Sequence, residues 1–255
     1  MDLTSTYEAL SAIPAQDLSF WQDFFMKFYR AFIESSRWQQ YIEGVGTTLL
    51  VTAMALVLGI VLGIVVAMIR TAHDQQRPGH HNPILFILNL ICKIYVTIIR
   101  GTPMMVQLLI MGLVIFANSR NFTMVGALTL GINSGAYVAE IIRGGLMSVD
   151  KGQMEAGRSL GLNYIQTMRF IVVPQAIKAI LPALGNEFIV LLKDTSLITV
   201  IGGKELLYAA RGIMNRTYEQ MLPLLGTAAI YLVLVMIFSW LLGILDRRLR
   251  QSDRR

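Results

Sequence analysis

The chain has 255 residues, of which 55% are hydrophobic and only 15% charged, and its mean hydropathy is +0.57. Soluble domains carry roughly 25% charged residues, so this composition points to a protein of the bilayer. One cysteine, Cys92, excludes a disulfide scaffold and a cysteine-rich metal site, and the net charge of +6 matters chiefly through its placement.

Residues 1–42 read as an extracytoplasmic or interfacial segment. They lack the basic start and apolar core of a signal peptide. Phe20, Phe24, Phe28 and Phe32 recur every four residues, which predicts an amphipathic helix with aromatic anchors. Residues 43–246 read as an all-α, polytopic membrane domain. Crossing roughly 30 Å of hydrocarbon takes about 20 apolar residues. Five segments approach this, predicting spans over about 45–69, 101–119, 122–145, 169–192 and 221–245. Gly59 and Gly63 in the first span form a GxxxG, which permits close helix approach. The loop 70–81 holds His73, His80 and His81 and reads as solvated, with no metal site. Residues 84–99, with Lys93 among them, read as a short membrane-associated helix broken at Arg100-Gly101-Thr102-Pro103 before the second span.

The tail 247–255 contains Arg247, Arg248, Arg250, Arg254 and Arg255. Under the positive-inside rule it is cytoplasmic. Five crossings then put the N-terminus outside, and the segments 70–81 and 151–161 inside.

The segment around 151–161 is polar in a chain that is otherwise mostly apolar. Asp150 suits an N-cap, with Gln153 as reciprocal partner, and Gly161 suits the helix end. Asn163 and Gln166 repeat the capping pattern. Pro174 and Pro182 then interrupt the backbone ladder of the fourth span. A capped helix projecting from a bundle suits docking into a groove of a partner, and equally a plain interfacial connector.

Glu155-Ala156-Gly157, three residues, Gly161, nine residues and Ile171-Val172-Val173-Pro174 resemble the EAA signature of permease subunits of ABC importers. Gly157 and Val173 depart from it by small or apolar exchanges. Arg100 to Pro103, residues 133–140, residues 184–188 and residues 192–197 are similar to the polar amino-acid uptake branch. The resemblance implies a five-span type I importer core in the bacterial inner membrane, paired with a second permease that is a copy or a relative. It also implies two ATP-binding cassette subunits and an extracellular substrate-binding protein. Glu155, Ala156, Gly157, Arg158 and Gly161 would form the coupling helix that the ATPase reads. The chain has no G-x-x-x-x-G-K-[ST], so ATP and Mg would be bound by the partner ATPase, with no cofactor and no catalytic residue in this chain.

Polar residues within spans default to a functional reading. Asn133, Tyr137 and Glu140 fall on one face of the third span, and Asn186 lies in the fourth, so these four are the candidates for the substrate path. Internal pairing of Glu140 with Arg143, and of Glu187 with Lys193, is the structural alternative. The other functional reading is a secondary amino-acid transporter acting without an ATPase; the lack of an internal repeat speaks against it.

Overall fold

The computed structural model describes residues 3–76 and 82–251. The expected Pro78-Gly79 turn, His80, His81 and the last four residues of the basic tail lie outside them. Among the described residues the secondary structure is helical, and five helices are long and apolar enough to cross a membrane.

Helix α1 (Leu3–Ser11) folds back on α2 (Phe20–Phe28), with Tyr7 stacked on Tyr29 at 4.3 Å. Ser19 and Gln22 start α2 with a capping box. Phe20 and Trp21 are 73% and 75% exposed, and Phe24 and Phe28 are also exposed, so these rings point away from the protein, whereas Phe32, the last of the expected stripe, turns inward with its ring centroid 5.4 Å from that of Tyr41. A wide π turn (Tyr29–Ile33) and two left-handed residues, Ser35 and Ser36, bend the chain into α3 (Arg37–Asp74). This helix is about 57 Å long at 1.5 Å per residue.

Helix α4 (Pro83–Gly101) begins at an Asn82 cap with proline in the first turn. The chain breaks at Thr102 and Pro103 and resumes as α5 (Met104–Leu109) with a π turn to Ile115. Asn121 caps α6 (Phe122–Met147). Short helices α7 (Lys151–Ser159) and α8 (Tyr164–Thr167) follow, and a π turn (Met168–Val172) leads into α9 (Val173–Asp194). A 3-10 segment (Thr195–Ile201), α10 (Leu206–Thr217) and α11 (Met221–Gln251) complete the chain.

The most extensive packing is between α3 and α6. A Cβ on Gly59 would sit 2.8 Å from Ser134 Oγ, and one on Gly63 would sit 2.5 Å from Val138 Cγ1. Only glycine allows this approach, so the GxxxG is an intramolecular seam. A step of four residues along α3 matches a step of four along α6, so the two helices run parallel. The chain between them therefore returns across the bundle once.

That return corrects the expected second span. It starts at Pro83 rather than near residue 101, and α4 is its longer part. Residues 104–115 cover only roughly 18 Å, too little to cross alone. Proline at 103 removes a backbone donor and splits one crossing into two helices. The break lies at mid-height: Gln107 bonds Asn133, and Tyr95 Oη donates to Ile132 O at 2.5 Å, both near the middle of α6.

Helix α9 runs antiparallel to α6, with Gly145 against Ile180 and Glu187 bonded to Ser134. Helix α11 runs antiparallel to α9, with Gly185 against Leu242 and Phe188 beside Phe238. The C-terminal part of α11, the C-terminal parts of α3 and α6, and helix α7 thus share one end of the bundle. Helices α2 and α10 and the 3-10 segment occupy the other.

Candidate functional site

Two regions carry the polar chemistry: the α7 projection at one end, and a cluster at mid-height on α4, α5 and α6.

At the projection, the Asp150 carboxylate accepts from Gly152 N at 2.6 Å and starts α7. Gln153 does not close a capping box; its amide oxygen accepts from Gln175 Nε2 at 3.2 Å and ties α7 to α9. The helix ends in a Schellman motif, with Leu162 N on Gly157 O at 3.1 Å and Gly161 N on Arg158 O at 2.9 Å. Gly161 has φ +80, a left-handed conformation that favours glycine. Gly157 is buried, and a Cβ there would sit 2.5 Å from Thr167 Cγ2. The glycine at this EAA position is thus matched to a threonine ten residues on. Asn163 and Gln166 do form a capping box, and Tyr164 donates to Gln75, the C-cap residue of α3. Glu155, Ala156 and Arg158 are exposed, and Leu160 is 78% exposed. The projection is therefore rigid, held to α3 and α9 on one side and open on the other.

At mid-height, the expected path residues separate into two groups. Asn133 Nδ2 donates to Gln107 Oε1 at 3.0 Å. Gln107 Nε2 donates to Ile99 O and to Thr102 Oγ1, each at 2.8 Å, and so satisfies acceptors freed by the break. Tyr137 lies under the Arg100 guanidinium, 5.2 Å from its ring centroid. Glu140, one turn further along α6, is instead held by Arg70 of α3, with Arg143 Nη2 3.5 Å away. Arg143 also reaches Asp74 at 3.9 Å. Glu140 is thus the centre of an ion-pair network joining α3 to α6. Asn186 is exposed on α9 and makes no hydrogen bond to the other three among the described residues. Its neighbour Glu187 is buried and accepts from Ser134 Oγ at 2.7 Å, so no Glu187–Lys193 pair forms.

Sequence reading missed a third feature, at the end opposite α7. Glu205 is 2% exposed and caps α10, accepting from Leu207 N and Tyr208 N at 2.7 Å each. It also accepts from Tyr231 Oη at 2.8 Å and from Thr199 Oγ1. Burial pushes its carboxyl above the usual range, although all four donors oppose this. An acidic residue directly before an apolar helical run, after two glycines, was the available signal.

A groove of about 1110 Å³ runs between α3 and α9 near α7. Ile60, Ile64, Met68 and Ile180 are among its mostly aliphatic walls. Its polar lining, Thr71, Gln75, Gln76, Arg158 and Tyr164, is confined to the α7 end.

These features define a helical membrane transport subunit: a glycine-seamed bundle with a polar, broken crossing at its middle and a stiff projection at one end. Residues 84–251 match the family described as binding-protein-dependent transport system inner membrane component, and the chain belongs to this family. It is 35% identical over 214 residues to the putative glutamine transport system permease protein GlnP of Rickettsia bellii, spanning 82% of this chain and 92% of the relative. Against the glutamine transport system permease protein GlnP of Escherichia coli (strain K12) it is 34% identical over 216 residues, with the same coverage. The solved structure of an amino acid ABC transporter with histidines is 42% identical, with TM-score 0.74, over 82% of this chain and 94% of that one. An inward-facing methionine ABC transporter, MetNI, at 18% identity and TM-score 0.71 over 85% and 99% of the two chains, shares the fold.

Proposed function

We propose that this chain is the translocation subunit of an ATP-driven importer of polar amino acids, with glutamine the first substrate to test. The observation that carries this is helix α7, capped at Asp150, closed at Gly161 and open on its outer face, in a chain of the binding-protein-dependent family. In this reading α7 is the coupling helix. Glu155, Ala156, Arg158 and the exposed Leu160 meet an ATP-binding cassette subunit, while Gly157 packs inward. That subunit binds ATP and Mg. A second permease, copy or relative, completes the pathway, and an extracellular binding protein delivers the amino acid.

Closure of the ATPases draws two α7 helices together. The displacement enters α9 through Gln153–Gln175, α8 through Gly157–Thr167, and the C-terminal end of α3 through Tyr164–Gln75. The bundle then rocks from inward-open to outward-open and resets after hydrolysis. Asn133, Tyr137 and Asn186 line the path in this reading, and Glu140, with its charge engaged by Arg70 and Arg143, closes its inner end. The α7 end is cytoplasmic and residues 1–42 lie outside. Arg70, Arg143, Lys151, Arg158 and Arg169 near that end support this sidedness.

The test is reconstitution. Co-expression with a Walker-type ATPase and a secreted binding protein from neighbouring reading frames is expected to yield a complex whose vesicles take up an amino acid only with ATP. Uptake by this chain alone on an ion gradient would overturn the reading.

A further inference from the structure

We propose that Arg100 is the anchor for the α-carboxylate of the transported amino acid, with the Tyr137 ring as its platform. This deepens the importer reading above and rests on it.

Helix α4 turns Asn89 and the Tyr95 hydroxyl into the bundle, and its exposed surface is apolar except for one stripe. Lys93, Thr97 and Arg100, at i, i+4 and i+7, are exposed on one face, while Ile87, Ile91 and Ile98 are exposed elsewhere. Arg100 sits beside Tyr137, near the middle of α6, so this cation lies at mid-height of the bundle. A charge at that depth is tolerated where it faces a water-filled cavity or a protein partner. Among the described residues neither Arg100 nor Lys93 forms an ion pair, whereas Arg70 and Arg143 both engage Glu140. The stripe is therefore positive and unneutralised.

Arg100 is also not needed where it stands for capping. Thr102 Oγ1 donates to Ile98 O and Gln107 Nε2 to Ile99 O, so two of the carbonyls at the broken end of α4 are satisfied without the Arg100 side chain. Among the described residues the Arg100 guanidinium, 5.2 Å from the Tyr137 ring centroid, makes no hydrogen bond, so its donors are free, and such a fork matches a carboxylate in bidentate fashion. The nearby Asn133 gives its amide nitrogen to Gln107, which leaves Oδ1 as an acceptor for an ammonium. A fixed donor edge and a nearby acceptor fit the invariant part of any free amino acid. The subsite would thus read the main chain of the substrate and leave side-chain choice to other groups.

The experiment uses the complete complex with its ATPase subunits, with the binding protein supplied in the uptake assays. Uptake of the twenty amino acids, tested singly, identifies the best substrate. Equilibrium binding to the detergent-purified complex is then measured for that amino acid and for its α-amide, which lacks the carboxylate charge. Wild type is expected to prefer the acid at least tenfold. Arg100→Gln is expected to weaken the acid at least tenfold and the α-amide less than twofold, with Arg100→Lys in between. Equal weakening of both ligands, or no weakening, overturns the proposal. If Arg100→Gln fails to assemble, Arg100→Lys and Tyr137→Leu decide: a reduced acid-to-amide preference supports it, and an unchanged preference overturns it. Wild-type vesicles that take up none of the twenty with ATP sink the importer reading and this inference with it. Normal wild-type uptake with undiminished preference in the variants sinks this inference alone.

Discussion

Two helices at opposite ends of the bundle begin on an acidic cap, and the caps serve different ends. Glu205 is buried and spends both oxygens on four donors, from α10, α11 and the 3-10 segment. Through Thr48, whose hydroxyl accepts from Leu206 N at 3.3 Å, the same corner reaches α3. Asp150 is on the surface and holds Gly152 N. The same local device locks four elements at one end and merely stiffens a projection at the other. What differs is what surrounds the cap: a filled corner is finished structure, and an open face on a rigid knob is structure that lacks its partner.

Substitutions can break this contrast. The largest stability effect is expected for Glu205→Ala, which strands buried donors from several elements. A loss on the order of 3 kcal/mol or more follows from the desolvation of unpaired groups. Glu205→Gln retains one acceptor oxygen and is expected to lose less; thermal unfolding of the detergent-purified chain measures both. At the other end the large effect is on coupling. Gly161→Pro and Glu155→Lys are expected to leave the chain membrane-inserted and folded, with ATP-driven uptake down at least tenfold. Full coupling of hydrolysis to uptake in both variants would count against the role of α7.

A smaller effect is expected for Gly157→Ala, whose methyl group collides with Thr167. Overpacking of this kind costs about 1–3 kcal/mol. Pairing it with Thr167→Ala relieves the clash, so the double variant should recover uptake that the single variant loses. The smallest effect belongs to Asp150→Ala. Loss of an N-cap costs about 1 kcal/mol, and the expected sign is faster amide exchange confined to residues 151–159, with no change at α10.

Much of this was legible in the sequence because it was local. The α7 cap, the Gly161 terminus and the Asn163–Gln166 box each depend on residues a few positions apart. The Gly59–Gly63 seam announced close approach, though not that α6 was its partner. The second crossing was misread because apolarity continues through Pro103, and the helix that starts at Pro83 contains Lys93 and carries Arg100 in its last turn. Proline divides a helix without ending a crossing, and only the parallel packing of α3 on α6 reveals a single return. Long-range pairing was invisible. Spacing put Asn133, Tyr137 and Glu140 on one face of α6, but Arg70 takes Glu140 from a helix 70 residues away. Glu187 likewise finds Ser134 rather than Lys193.

The central claim, that α7 is the handle through which a separate motor moves this bundle, is tested most directly at Leu160. Cys92, the single native cysteine, is buried, so Leu160→Cys gives one exposed thiol. In the chain alone it should react readily with a maleimide. In the assembled complex it should be protected, and a short bifunctional reagent should join it to the ATPase subunit. A thiol that stays equally reactive in the active complex, or that is labelled from outside intact cells by an impermeant maleimide, would contradict the claim.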